Sequence, residues 1–151
     1  MQIIVCNIGS SSFKFQLLDM PGEAQRARGY TERVGTNDAI VTYWVGDRQV
    51  FNEVMPVPSH REAVQHALAF LQNPAHGLLA SLEQIDGVGF KAVQAGEKNG
   101  SVLLADDVLE AMEAYRDLAP AHNPPYITAI RMFRELLPRT PLVGVFEPGF
   151  H

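Results

Sequence analysis

The chain opens on an unbroken apolar run, Ile3-Ile4-Val5-Cys6, passes through Asn7-Ile8-Gly9-Ser10-Ser11-Ser12, and then alternates. Phe13, Phe15 and Leu17 are separated by Lys14 and Gln16. A continuous apolar run fits a strand buried on both faces, and period-two alternation fits a half-buried partner. The pattern predicts strand, hydroxyl-rich turn, strand. Met20-Pro21-Gly22-Glu23 reads as a turn, followed by strand-like runs around Gln25 to Val34, Ala39 to Val45 and Gln49 to Val54. Their separators, Gly35-Thr36-Asn37-Asp38 and Gly46-Asp47-Arg48, are polar or glycine-bearing, so the first third reads as an antiparallel meander closed by Pro56 and Pro58.

The period then changes. Ser59 with Glu62 three residues on forms a capping box, and Val64, Ala67, Leu68 and Leu71 give an apolar helical face. A helix of about four turns, ending near Asn73-Pro74, is expected. Ile85 to Val93 is β-rich, with Gly87 and Gly89 permitting close backbone approach. Asp107 and Glu110 form a second capping box, opening a helix with Val108, Leu109, Met112 and Tyr115 toward the core. Asn123 is an N-cap with Pro124 at the first helical position, and Tyr126, Ile130, Phe133 and Leu137 keep helical period behind it. Pro141 to Phe146 is a short buried strand stopping at Glu147. A meander followed by strands alternating with helices predicts an α/β fold, a mixed sheet with flanking helices.

Composition narrows the function. At 151 residues and 46% hydrophobic, the chain is one domain with enough apolar content for a real core. A net charge of -5 without a dense basic cluster argues against a nucleic-acid partner. Its single cysteine, Cys6, lies inside the first strand, excludes an intrachain disulfide and suits a reducing compartment. No stretch has the length of a membrane span, and Met1 is followed at once by a strand. The expectation is a cytoplasmic protein with no membrane contact. His60, His66 and His76 show no metal-ligand spacing and read as surface residues, while Tyr43 and Trp44 read as strand packing.

The candidate chemistry begins at the first turn. On composition alone Gly-Ser-Ser-Ser is a polar hairpin tip, but it gathers backbone N–H groups, three hydroxyls, the Asn7 amide and the Lys14 ammonium into one small volume. That set suits the oxygens of a polyphosphate. It is not a Walker loop, since no Gly-x-x-x-x-Gly-Lys-Ser/Thr occurs. In sheets flanked by helices, ligands collect beyond the carboxyl ends of the strands. Lys91 and Glu147 fall at such ends, and His122 precedes a helix N-terminus, where free N–H groups favour an anion. Four scattered segments are thus expected to converge on one phosphate.

Asn7, Gly9, Ser10, Ser11, Ser12 and Lys14 match the Asn-x-Gly-Ser-Ser-Ser-x-Lys opening of the acetate kinase family, and the resemblance runs the length of the chain. Gly89 to Glu97 resembles the family's Gly-His-Arg-Val-Val-His-Gly-Gly-Glu stretch, Ala119 to Pro125 its Ala-Pro-Leu-His-Asn-Pro-Pro, and Val145 to His151 its Val-Phe-Asp-Thr-Ala-Phe-His. The resemblance implies the ribonuclease H-like half-domain of the acetate kinase, sugar kinase, heat-shock ATPase and actin superfamily. Residues 1–151 would be the N-terminal domain, with the second half-domain following in a longer polypeptide and the active site in the cleft between halves. The implied activity is reversible, Mg-ATP-dependent phosphorylation of a short-chain carboxylate to an acyl phosphate, by an enzyme that is a homodimer when complete.

Carried over by position, Asn7, Ser10, Ser12 and Lys14 would approach the nucleotide phosphates, and Asn7 and Glu147 would stand near the Mg ion. Lys91 would steady the carboxylate and the transferred phosphoryl group, and His122 would help stabilise the transition state. Val93 and Ala121 would line the acyl pocket. Departures fall on these same positions. Lys91 puts a point charge where the family has a bidentate guanidinium, and Glu147 puts a longer carboxylate where it has aspartate. Phe90 and Gln94 replace histidines, Ala95 a glycine, and Ala121 a leucine, which implies a roomier acyl pocket. The alternative reading is a nucleotide-binding or regulatory relative that has lost the transfer.

Overall fold

The structure, a computed structural model, describes residues 1–22, 24–93, 100–103 and 123–146. The elements are β1 (Gln2–Ile8), β2 (Ser12–Asp19), β3 (Ala24–Glu32), β4 (Thr36–Val45), β5 (Arg48–Val57), helix α1 (His60–Leu71), a 3₁₀ turn (Leu82–Gln84), β6 (Ile85–Val93), β7 (Gly100–Leu103), helix α2 (Asn123–Leu136) and β8 (Leu142–Phe146). Together the strands form one mixed sheet in the order β5-β4-β3-β2-β1-β6-β8-β7. The meander β1 to β5 is antiparallel throughout, β6 and β8 run parallel to β1, and β7 returns antiparallel to β8. The helix expected from Asp107 lies outside the described residues.

The meander forms where the pattern places it. β4 and β5 are joined through Gly46 and Asp47, and Gly46 takes φ +57°, a left-handed conformation that glycine adopts without a Cβ clash. β5 runs on through Pro56 to Val57, beyond the expected stop. It does so because β5 is the last strand of the sheet on that side, where a residue lacking an N–H leaves no inner neighbour unpaired. β7 carried too short a pattern to be read from sequence.

One face of the sheet carries the core. Ile4, Cys6 and Ile8 of β1 are buried, with Phe13, Phe15 and Leu17 of β2 beside them and Val88 and Phe90 of β6 on the other side. Ile3 and Val5, on the opposite face, are only half-buried, so β1 alternates despite its continuous apolar run. Helices α1 and α2 cover the core face. Phe70 of α1 stacks on Tyr43 at 4.4 Å between ring centroids and meets Phe15 at 6.4 Å, while Phe133 of α2 meets Phe90 edge-on at 5.5 Å. Each aromatic buried in this way contributes about 1.5–3 kcal/mol.

The aromatic cluster requires a glycine beneath it. A Cβ on Gly29 of β3 would sit 2.2 Å from Phe15 Cε1 and 2.7 Å from Tyr43 Cδ1. Gly29→Ala is therefore expected to destabilise the chain by about 1–3 kcal/mol through overpacking, measured by urea denaturation, whereas a well-packed alanine would leave the midpoint unchanged.

Helix α1 begins as the capping box predicts. The Ser59 hydroxyl accepts from the Arg61 N–H at 3.2 Å and donates to the Glu62 carboxylate. That bond from Ser59 is the main reason the Glu62 carboxyl is held below its ordinary range. A depressed native value means that the stabilisation is present above the ordinary carboxylate range and is lost as pH falls through the native value. Ser59→Ala should cost about 0.5–2 kcal/mol at neutral pH. The difference in Tm between wild type and Glu62→Gln should shrink as pH drops below the carboxylate range, and a pH-independent difference would contradict the cap.

Candidate phosphate-binding edge of the sheet

Because β1, β6 and β8 are parallel, their carboxyl ends lie along one edge. Cys6 pairs with Phe90, so Asn7 and Lys91 follow at the same end of adjacent strands, and Asn7 faces Lys14 across the β1–β2 hairpin. Asn7, Lys14 and Lys91 are all exposed, and alternation puts them on the face opposite the core. The tip of the hairpin, Gly9 to Ser11, caps this arrangement.

The tip is held from behind through its carbonyls. Gly9 N–H donates to Ser12 O at 3.0 Å, closing the turn, and Val34 N–H donates to Ser11 O at 2.9 Å. His60 Nε2 lies 3.0 Å from Gly9 O and 3.2 Å from Ser12 O. Three carbonyls of the tip are thus engaged by protein donors. The Ser10 and Ser11 N–H groups lie outside the β-ladders and have no backbone acceptor among the described residues. Ser10 and Ser11 are exposed, and Gly9 leaves room for the Ser12 hydroxyl, since a Cβ there would come within 2.5 Å of Ser12 Oγ.

The strap from Val34 depends on a strained turn. Arg33 takes φ +61°, uncommon for a residue with a long side chain, and Gly35 follows at +96°. The Thr36 hydroxyl donates to Arg33 O at 2.7 Å and Gly35 N–H to Val57 O at 2.7 Å, fixing the turn against the end of β5.

Lys14 does not extend freely from the sheet. Its ammonium rests over the ring of Tyr30, its cross-strand partner on β3, at 4.7 Å from the centroid. Lys91 is positioned through its backbone. Tyr126, 2% exposed in the first turn of α2, donates its hydroxyl to Lys91 O and so ties that helix to the end of β6. Val93 is the last residue of β6. His122, Ala121 and Glu147 lie outside the described residues, so the convergence found here involves the Asn7 to Lys14 hairpin and Lys91. Among the described residues no group of three or more His, Cys, Asp or Glu is arranged to hold a metal ion.

The contacts of three residues escaped the sequence reading. His60 is buried rather than on the surface, with its ring over the hairpin tip, and Tyr30 and Tyr126 support the two lysines. Tyr30 alternates in register with Lys14, a signal visible only once the strand pairing is known. His66 and His76 are half-buried beside Phe70 at the other end of α1. Cys6 is inert, its thiol pushed well up by complete burial.

A mixed sheet with this strand order, helices on one face and a hydroxyl-rich hairpin at the carboxyl edge defines a half-domain of the acetate and sugar kinase superfamily. The chain belongs to the acetokinase family, whose sequence profile matches residues 2–151. It is 43% identical over 151 residues to the acetate kinase of Exiguobacterium sibiricum, covering 99% of this chain and 37% of that protein. It is 44% identical over 151 residues to that of a Geobacillus species, with the same coverages of 99% and 37%. Porphyromonas gingivalis acetate kinase superposes with a TM-score of 0.87 at 34% identity, over 96% of this chain and 37% of the other. A propionate kinase from Francisella tularensis superposes at 0.81 and 31% identity, over 96% and 36%. The chain therefore spans little more than a third of the length of these relatives.

The tip geometry gives a direct test. Gly9→Ala should rotate the Ser12 hydroxyl out of its place and weaken pyrophosphate binding about tenfold with little change in Tm, read by calorimetric titration. Unchanged affinity would show that Ser12 does not face the anion.

Proposed function

We propose that this chain is the N-terminal, phosphate-binding half of a kinase that passes a phosphoryl group reversibly between Mg-ATP and a short-chain carboxylate. The observation that carries this reading is the hairpin tip, whose Gly9, Ser11 and Ser12 carbonyls are engaged by His60, Val34 and Gly9, at the same edge of the sheet as Asn7, Lys14 and Lys91. Such an edge offers donors and positive charge to polyphosphate oxygens, with three of the tip carbonyls already engaged by the protein. Family membership supports the same reading.

In the forward direction a carboxylate oxygen attacks the γ-phosphorus, the bond from that phosphorus to the bridging oxygen breaks, and its electron pair stays on ADP. No proton moves in this step, so the protein's task is positioning and charge neutralisation. Ser10, Ser12 and Lys14 hold the phosphates. Lys91 draws the carboxylate toward the transferred group and offsets charge on its equatorial oxygens, and His122 adds a donor to the same oxygens. Val93 and Ala121 border the acyl chain.

The donor set also fits the metal. Magnesium carried by a nucleotide needs few protein ligands, and the edge supplies the neutral oxygen of Asn7, with the Glu147 carboxylate following β8 in sequence. When bound, the ion neutralises phosphate charge and fixes the phosphate geometry. ATP or ADP and a carboxylate or its acyl phosphate are the partners. The complete protein works as a cytoplasmic homodimer with no nucleic-acid partner. No helix among the described residues is long and apolar enough to cross a membrane.

Trapping acyl phosphate with hydroxylamine tests the proposal, using the longest natural polypeptide that carries this segment, with Mg-ATP and acetate, propionate or butyrate. Hydroxamate is expected from at least one acid. Lys91→Ala should lower kcat/KM by about a hundredfold, and Lys91→Arg should retain or raise it because a guanidinium holds two oxygens at once. Binding of ATP with no hydroxamate from any acid would instead identify a nucleotide-binding relative without transfer activity, the reading that Lys91 and Glu147 favour.

A further inference from the structure

The ring of His60 occupies a position that its place in the sequence does not announce. It is the first residue of α1, directly after the Ser59 cap, yet it is only 7% exposed, and its Nε2 bridges two carbonyls 51 and 48 residues away. Those carbonyls, Gly9 O and Ser12 O, bracket the hairpin tip. With acceptors on both sides of Nε2, that nitrogen must carry the proton, and a single N–H is shared between two oxygens. The bond is thus defined by its surroundings, not by a choice of tautomer.

We propose that His60 is a positioning residue of the polyphosphate loop, acting on the anion through Gly9 and Ser12 and not touching it. The inference rests on the phosphate-binding reading of the tip given above. Its physical content is orientation. A peptide unit whose carbonyl is drawn toward the helix points its N–H the other way, and the tip has no regular ladder to enforce that choice. Ser12 O is already held by the Gly9 N–H and by the start of β2, so it is Gly9 O that would otherwise be free to turn outward and present its negative dipole end to an incoming phosphate. His60 draws Gly9 O inward and reinforces Ser12 O, Val34 N–H holds Ser11 O, and the Ser10 N–H, in the same peptide unit as Gly9 O, is turned outward. Because α1 is anchored by Val64, Leu68 and Leu71 in the core, the ring is carried by a rigid element. The loop is therefore shaped before the ligand arrives, and less ordering is left for the binding step.

The test compares His60→Ala, His60→Gln and Ser59→Ala in the longest natural polypeptide containing this segment. Ser59→Ala weakens the same helix end without altering the ring's contacts. Two quantities are read, the Kd for pyrophosphate and for Mg-ATP, and hydrogen–deuterium exchange in the peptide covering Asn7 to Phe13. His60→Ala should raise both Kd values about tenfold and speed exchange of that peptide, consistent with loss of a shared hydrogen bond that holds the loop. His60→Gln, whose amide can donate to both carbonyls, should recover part of each effect. Ser59→Ala should lower Tm while leaving Kd and exchange of the tip as in wild type.

Wild-type affinity and exchange in His60→Ala would overturn the proposal, as would an equal effect from Ser59→Ala, since either would make His60 a helix-end packing residue. If His60→Ala does not fold, His60→Gln carries the test, and a glutamine variant indistinguishable from Ser59→Ala in Kd and exchange overturns it. A wild-type polypeptide that binds neither pyrophosphate nor Mg-ATP would overturn the phosphate reading itself. The exchange measurement would then still decide whether His60 orders the tip.

Discussion

The pairing of β1 with β2 on one side and β6 on the other is the constraint on which the candidate site depends. Antiparallel register with β2 sets Lys14 opposite Asn7, and parallel register with β6 brings Lys91 to the same edge. A slip of one residue by β1 would turn Asn7 into the core and expel Cys6, and the same slip by β2 would bury Lys14 and expel Phe13 and Phe15. Returning buried phenylalanines to water costs about 1.5–3 kcal/mol each, so the register is fixed by apolar packing. Polar groups at the edge inherit their positions from side chains that never meet a ligand.

Much of this was legible in the chain because it follows local periods. Phe13, Phe15 and Leu17 announce one face of β2, and Ser59 with Glu62 announces the start of α1, where Ser59 does cap the helix. Tyr126, Ile130, Phe133 and Leu137 are all buried, as their helical spacing implies. Asn7 through Lys14 could be read as one unit because every member lies within a single hairpin, which β1 and β2 form. What stayed hidden arises between distant segments. No spacing rule connects His60 with Gly9, since their contact exists only after the whole meander has brought α1 back over the hairpin. Pro56 misled for a related reason, because whether a proline stops a strand depends on whether its neighbours need its N–H.

The tip also illustrates where strain is located. Arg33 holds a positive φ on the strand turn behind the loop, not on the loop itself, and Thr36 and Val57 secure it there. The unfavourable backbone conformation is confined to residues that only support the serines. Gly9, by contrast, is needed for the space it leaves beside Ser12. Two kinds of backbone requirement, conformation behind and clearance in front, meet in one short stretch of chain.

Pro56 has a consequence for how copies of this molecule behave in solution. β5 forms the last strand on its side of the sheet, and its outer rim carries a row of main-chain groups that another strand could copy. The proline interrupts that row by withholding one donor, and the charged Arg48 and Glu53 flank the rest. The same residue that lets β5 finish beside β4 makes its far side a poor template. Val54, 65% exposed on this border, is thus followed within two residues by a proline and preceded by a carboxylate, both features that disfavour strand-by-strand stacking.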